Sequence, residues 1–147
     1  MDATDQLYPA DAVVMAPLSG YTDLPFRRSA RRHGCRFAFT PLIEVGSVIY
    51  GNPKVQQLLV RGEEEPWLGI QVVGTRPERL SGAMEMLADR RFEVVDFNMG
   101  CPVPKVAKRG AGAAMCQTPD TAARCVEALV KTVSVPVTAK IRILDEE

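Results

Sequence analysis

Histidine is nearly absent from this chain, and cysteine is thinly spread. His33 is the only histidine, and Cys35, Cys101, Cys116 and Cys125 form no Cys-x-x-Cys pair. Structural zinc needs clustered soft ligands at short spacing, so no metal site is expected. A Cys–His nucleophilic pair would have to draw on His33, far upstream of Cys101 in a basic segment. Long apolar runs are also missing. None approaches the ~18 residues that span a bilayer, and no membrane contact is expected. The start, Met1-Asp2-Ala3-Thr4-Asp5, is too acidic and polar for a signal peptide. These absences predict a cytoplasmic protein, where thiols stay reduced and a disulfide framework is not expected. Cys35, Cys116 and Cys125 read as small structural hydrophobes. Charge of one sign is lacking too: 18 basic and 18 acidic residues leave a net charge of +0. Any nucleic-acid surface must therefore be local.

What is present is an alternation of strand and helix patterns over 147 residues, enough for one domain with a core. Apolar runs at 12–18, 37–43, 68–74, 93–99 and 135–143 read as five buried strands. Thr22 or Asp23 can cap a helix that starts near Pro25 and stops at Gly34. A weaker helical signal over 48–60 is broken at Gly51-Asn52-Pro53. Thr75-Arg76-Pro77-Glu78 reads as a capping box ahead of a helix to about Arg90, and Thr118-Pro119-Asp120 as the same signal ahead of a helix through Val130. Near-continuous apolar strands between helices imply a parallel sheet covered by helices. Two arrangements fit, an open doubly wound sheet and part of a (β/α)8 barrel. The first strand ends in Ala-Pro-Leu-Ser-Gly and no Walker-type loop is present, which weakens the dinucleotide-fold reading. A whole barrel needs about 250 residues, so the pattern supplies a front half.

The chemistry-bearing stretch is Asp96-Phe97-Asn98-Met99-Gly100-Cys101-Pro102. A buried strand stops there and presents a thiol where parallel α/β folds build ligand sites. Lys140 interrupts an apolar strand, which is costly unless its ammonium meets an anion or carbonyl; the alternative is a strand-end lysine reaching solvent. Gln71 interrupts another strand, as a cofactor-edge amide or a satisfied core glutamine. Asn98 offers an amide to a ligand or to its own loop. Arg142 shares a strand face with Lys140. The segment 102–115 carries Lys105, Lys108 and Arg109, then Gly110 and Gly112, and reads as a mobile cationic lid or a solvated loop. Arg27, Arg28, Arg31 and Arg32 share one helical face, more in keeping with a solvated surface than with nucleic-acid contact.

Five blocks carry a resemblance: Met15–Arg27, Gly69–Gln71, Asp96–Pro102, Lys108–Met115 and Pro136–Arg142. In this order they resemble the tRNA-dihydrouridine synthase family, across nearly the whole chain but only the N-terminal half of a member. The resemblance implies the N-terminal half of an FMN-dependent (β/α)8 TIM barrel, about four β/α units plus a fifth strand. Residues 1–147 would then be a partial FMN-binding catalytic domain, lacking the rest of the barrel and the helical tRNA-binding domain. It implies reduction of the uridine C5–C6 bond in tRNA, with NADPH as reductant and Cys101 as the proton donor; an ordinary thiol is mostly protonated at neutral pH. Pro17, Leu18, Ser19, Gln71 and Lys140 would bind FMN, and Asn98, Arg142, Lys105, Lys108 and Arg109 would bind substrate. The alternatives are a flavin-dependent reductase of free pyrimidines and an inert truncated half-barrel. Two open sheet edges, at the first and fifth strands, would invite self-association.

Overall fold

The computed structural model describes residues 7–142. Its strands are β1 (Val14–Met15), β2 (Phe37–Phe39), β3 (Ile43–Glu44), β4 (Leu68–Val73), β5 (Val94–Met99) and β6 (Val137–Ile141). Every pairing is parallel, and the order is β1-β2-β4-β5-β6, with β3 beside β4 beyond the end of β2. With β2 and β3 counted as one interrupted strand, each strand lies next to the one before it in sequence, with no reversal of direction across the sheet. A doubly wound sheet must reverse; a barrel does not. The sheet is therefore the N-terminal half of a (β/α)8 barrel, as expected.

The helices are α1 (Leu24–Arg32), α2 (Val45–Ile49), α3 (Pro53–Leu58), α4 (Pro77–Glu85), α5 (Pro104–Ala107) and α6 (Pro119–Thr132). The largest apolar cluster lies between the sheet and its helical cover, where Ile70, Val72, Val95 and Phe97 meet Leu80, Met84, Cys125 and Leu129. The sheet's other face is the barrel interior. Its floor is Phe39, Val94 and Leu7, with Val14 and Trp67 against them. Tyr8, Phe37, Phe39 and Trp67 close that end through edge-to-face contacts. Gly69 makes room for this floor: a Cβ there would lie 2.4 Å from the Phe39 ring.

Several local expectations needed correction. The first strand pairs only at Val14–Met15, because Pro17 lacks an N–H and the chain turns, with Tyr21 N–H bonding to the Leu18 carbonyl. The second expected strand splits into β2 and β3 around Pro41. The break at 51–53 separates α2 from α3, and Asn52 caps the latter through Lys54 N–H. Asp23, not Thr22, caps α1. Neither proposed capping box forms: α4 starts directly at Pro77, so Thr75 stands one position too early and Arg76 offers no cap. Thr118 does precede α6, but its hydroxyl donates to the Met115 carbonyl instead.

The arginine face of α1 is also not what the spacing suggested. Arg27 is fully buried, with its guanidinium bidentate to Glu65 and donating to the Thr22 and Val60 carbonyls. Arg31 bonds Glu65 and the Trp67 carbonyl, while Arg28 meets Glu64 at the surface. Glu64 and Glu65 of the acidic stretch are thus the partners of this helix. Helical spacing alone does not say that an acidic loop packs on the basic face.

Candidate active site

The interior of the half-barrel turns polar above its apolar floor. Register sets Gln71 opposite Asp96, Asp96 opposite Thr138, and Asn98 opposite Lys140. Gln71, Asp96 and Asn98 are all buried. Gln71 Nε2 donates to Asp96 Oδ2 (2.6 Å), Thr138 Oγ1 donates to Asp96 Oδ1 (2.7 Å), and Asn98 Nδ2 donates to Gln71 Oε1 (2.8 Å). Among the described residues no buried side-chain nitrogen or oxygen lacks a partner. Burial of this many polar groups is tolerable only because each is paired.

The network ends at Cys101. Asn98 Oδ1 accepts from the backbone N–H of Cys101 (3.0 Å) and of Gly100 (3.3 Å). The Cys101 carbonyl accepts from Ala113 N–H (3.0 Å). Its peptide backbone is therefore held on both sides, just past the carboxyl end of β5, while the residue stays half-exposed. Arg142 Nε donates to the Gly100 carbonyl (3.0 Å). Among the other cysteines, the Cys116 thiol donates to the Met99 carbonyl and that of Cys35 to the Phe37 carbonyl. Cys125 lies on the buried face of α6, where desolvation, then Glu78, pushes its thiol up from the ordinary value.

The segment read as a lid or a solvated loop carries α5, a turn at Gly110, and a 3-10 turn over Gly112–Gln117 that packs on Cys101. Gly112 has φ 61°, and a Cβ there would sit 2.5 Å from the Cys101 carbonyl oxygen. Gly112→Ala combines a left-handed backbone with a clash against backbone, so it is expected to cost about 2 kcal/mol or more. It should also speed alkylation of Cys101 but not Cys125, read by mass spectrometry alongside a thermal melt.

Lys105, Lys108 and Arg109 are exposed, and none has an ion-pair partner among the described residues. Lys105 and Arg109 line a groove of about 500 Å3 at the carboxyl ends of the strands, with Ser19, Glu44, Tyr50 and Val73. A second hollow, about 300 Å3, opens on the barrel interior between Val14, Pro17, Phe39, Asp96, Thr138 and Lys140. Lys140 is exposed rather than enclosed, because no strand flanks β6 on its outer side among the described residues. Leu18 and Ser19 are exposed beside Pro17, and Thr22 Oγ1 accepts from Leu18 N–H.

A profile of the dihydrouridine synthase (Dus) family matches residues 14–147. The chain belongs to the dihydrouridine synthase family. It is 33% identical over 130 residues to tRNA-dihydrouridine synthase B of Pasteurella multocida, covering 88% of this chain and 39% of that protein. To a probable tRNA-dihydrouridine synthase of Rhodobacter capsulatus it is 35% identical over 143 residues, 95% of this chain and 43% of the relative. To tRNA-dihydrouridine synthase B of Xanthomonas campestris it is 37% identical over 134 residues, 90% and 40% respectively. The chain thus spans about two-fifths of the length of these relatives. Within this chain, sequence reasoning missed Asp96 and Thr138. The signal for Asp96 was available: it stands two residues before Asn98 in an apolar strand, so both face the same side.

Proposed function

We propose that this chain is the part of a tRNA-dihydrouridine synthase that supplies the proton donor and one wall of the flavin site. The observation that carries the reading is the placement of Cys101, half-exposed at the carboxyl end of β5, with its backbone N–H and carbonyl both tied down. Saturating the uracil C5–C6 bond needs a hydride on one carbon and a proton on the other. FMN, recharged by NADPH, supplies the hydride when bound. The thiol of Cys101 supplies the proton, and a fixed backbone keeps it at one place over the ring.

The residues fit a flat, partly polar group. Pro17 and Phe39 form an apolar wall of the interior hollow, and Lys140 stands on it as a cation without an ion pair among the described residues. Gln71 keeps a second N–H and a second lone pair beyond its two bonds within the network. Pro17, Leu18, Ser19, Gln71 and Lys140 would hold the flavin. Asn98 and Arg142 would reach the base side of the loop, and Lys105, Lys108 and Arg109 would meet tRNA phosphates.

The test uses the chain joined to the C-terminal part of the Rhodobacter capsulatus relative, with FMN and NADPH. Dihydrouridine should form in unmodified tRNA and not from free uracil. Turnover of uracil alone would favour the free-pyrimidine reductase, and a flavin-free protein that binds RNA without turnover would favour an inert module. Replacing Lys105, Lys108 and Arg109 together by alanine should weaken tRNA binding. It should also flatten the slope of log K against log salt by about two to three, since each phosphate contact contributes close to one. An unchanged slope would remove these cations from the interface.

A further inference from the structure

Among the described residues, Asp96 is the one buried acidic group of the barrel interior, and the proton transfer above does not use it. A carboxylate only accepts hydrogen bonds, whereas each carboxamide has a donating and an accepting end. Asp96 Oδ2 therefore requires the Nε2 end of Gln71 to face it, 2.6 Å away. Gln71 Oε1 must then face Asn98, which answers with Nδ2 at 2.8 Å. That leaves Asn98 Oδ1 towards the loop, where it accepts from Cys101 and Gly100 N–H. The opposite polarity would set oxygen against oxygen at Asp96 and N–H against N–H at the loop. Thr138 donates to the other carboxylate oxygen and anchors Asp96 from β6.

We infer that Asp96 is a positioning residue that, through Gln71 and Asn98, sets the orientation of two amides and so the backbone that presents Cys101. The link to proton donation rests on the reading of Cys101 proposed above; the link to loop geometry does not. Asp96→Leu removes the acceptor, so both amides lose their imposed orientation. Asp96→Asn keeps an oxygen for Gln71 Nε2 and can donate from Nδ2 to Thr138, so it should restore the arrangement.

The readout is amide hydrogen exchange by NMR on the chain itself, with thermal melts to confirm folding. Asp96→Leu should speed exchange at Gly100 and Cys101 about tenfold relative to Val95, whose N–H bonds to the Pro136 carbonyl. Asp96→Asn should stay within about twofold of the unsubstituted chain. Equal damage from both variants would overturn the inference, because it would show that charge rather than acceptor geometry matters. A uniform rise that includes Val95 would overturn it as well. If Asp96→Leu does not fold, the unsubstituted chain decides: the side-chain amide protons of Gln71 and Asn98 should be protected from exchange, and solvent-like exchange there would overturn the inference. None of these readouts needs tRNA or turnover, so they hold or fail separately from the effect of removing the Cys101 thiol.

Discussion

Cys101→Ala is expected to cut dihydrouridine formation by about 10²- to 10⁴-fold, the range that a positioned acid contributes. Flavin content should stay unchanged, because the proposed flavin contacts come from Pro17–Ser19, Gln71 and Lys140 rather than from the thiol. Loss of the thiol should leave the fold intact: its backbone, not its sulfur, makes the recorded hydrogen bonds to Asn98 and Ala113. Cys35→Ala is the control. Cys35 precedes β2, at the amino ends of the strands and so at the opposite end of the half-barrel, and its loss should not alter turnover. The measurement is the rate of dihydrouridine formation in the protein fused to the Rhodobacter capsulatus remainder, with flavin absorbance read on the same samples. Undiminished turnover in Cys101→Ala would rule out the proton-donor role.

Glu65→Ala is expected to be the most destabilising single substitution, by about 3–5 kcal/mol. The variant strands Arg27, whose side chain is fully buried and makes two bonds to Glu65, at 2.8 and 2.9 Å. The remaining bonds, to the Thr22 and Val60 carbonyls, satisfy donors but carry no opposite charge. A loss of this size in a chain of this length lowers Tm by roughly 10 °C. The double change Arg27→Met with Glu65→Leu should be far milder, since it removes both charges together. The damage should reach the site, because Arg27 holds Thr22 and Thr22 in turn holds Leu18.

The same ion pair gives a pH dependence of known sign. Burial alone would raise the Glu65 carboxyl, but hydrogen bonds from Arg27, Gly62 N–H and Arg31 hold it below the ordinary carboxylate value. A folded-state value below the unfolded one means the folded state binds the proton less readily. The contribution is therefore complete above the unfolded carboxylate range and drains away as pH falls through and below it. Denaturant titrations at neutral and acid pH should show this component in the unsubstituted chain and its loss in Glu65→Gln.

Much of the fold was legible because strand and helix patterns depend on nearest neighbours in sequence. The apolar runs located every main strand, and Pro41 and Gly51-Asn52-Pro53 marked real interruptions. Capping was misread because a one-residue difference in where the helix begins moves a side chain out of reach, as at Thr75. The basic face of α1 was misread for another reason: its partner, Glu65, lies 38 positions from Arg27 in sequence. Thr138 was invisible because a threonine in a strand is ordinary until register sets it against a carboxylate.

By itself, the sequence determined a parallel β/α chain of the dihydrouridine synthase family and placed a cysteine just past a strand end. Those properties follow from local patterning and from short blocks of residues in order. Strand patterning left open sheet and half-barrel both standing; the family resemblance favoured the half-barrel, and the tertiary structure bore it out through strand order, which is a matter of which edges meet. Only the tertiary structure turned Gln71, Asp96 and Asn98 from separate polar residues into one chain of hydrogen bonds ending at Cys101. That chain exists because parallel register brings β4, β5 and β6 level, and because a carboxylate permits only one direction for the amides beside it.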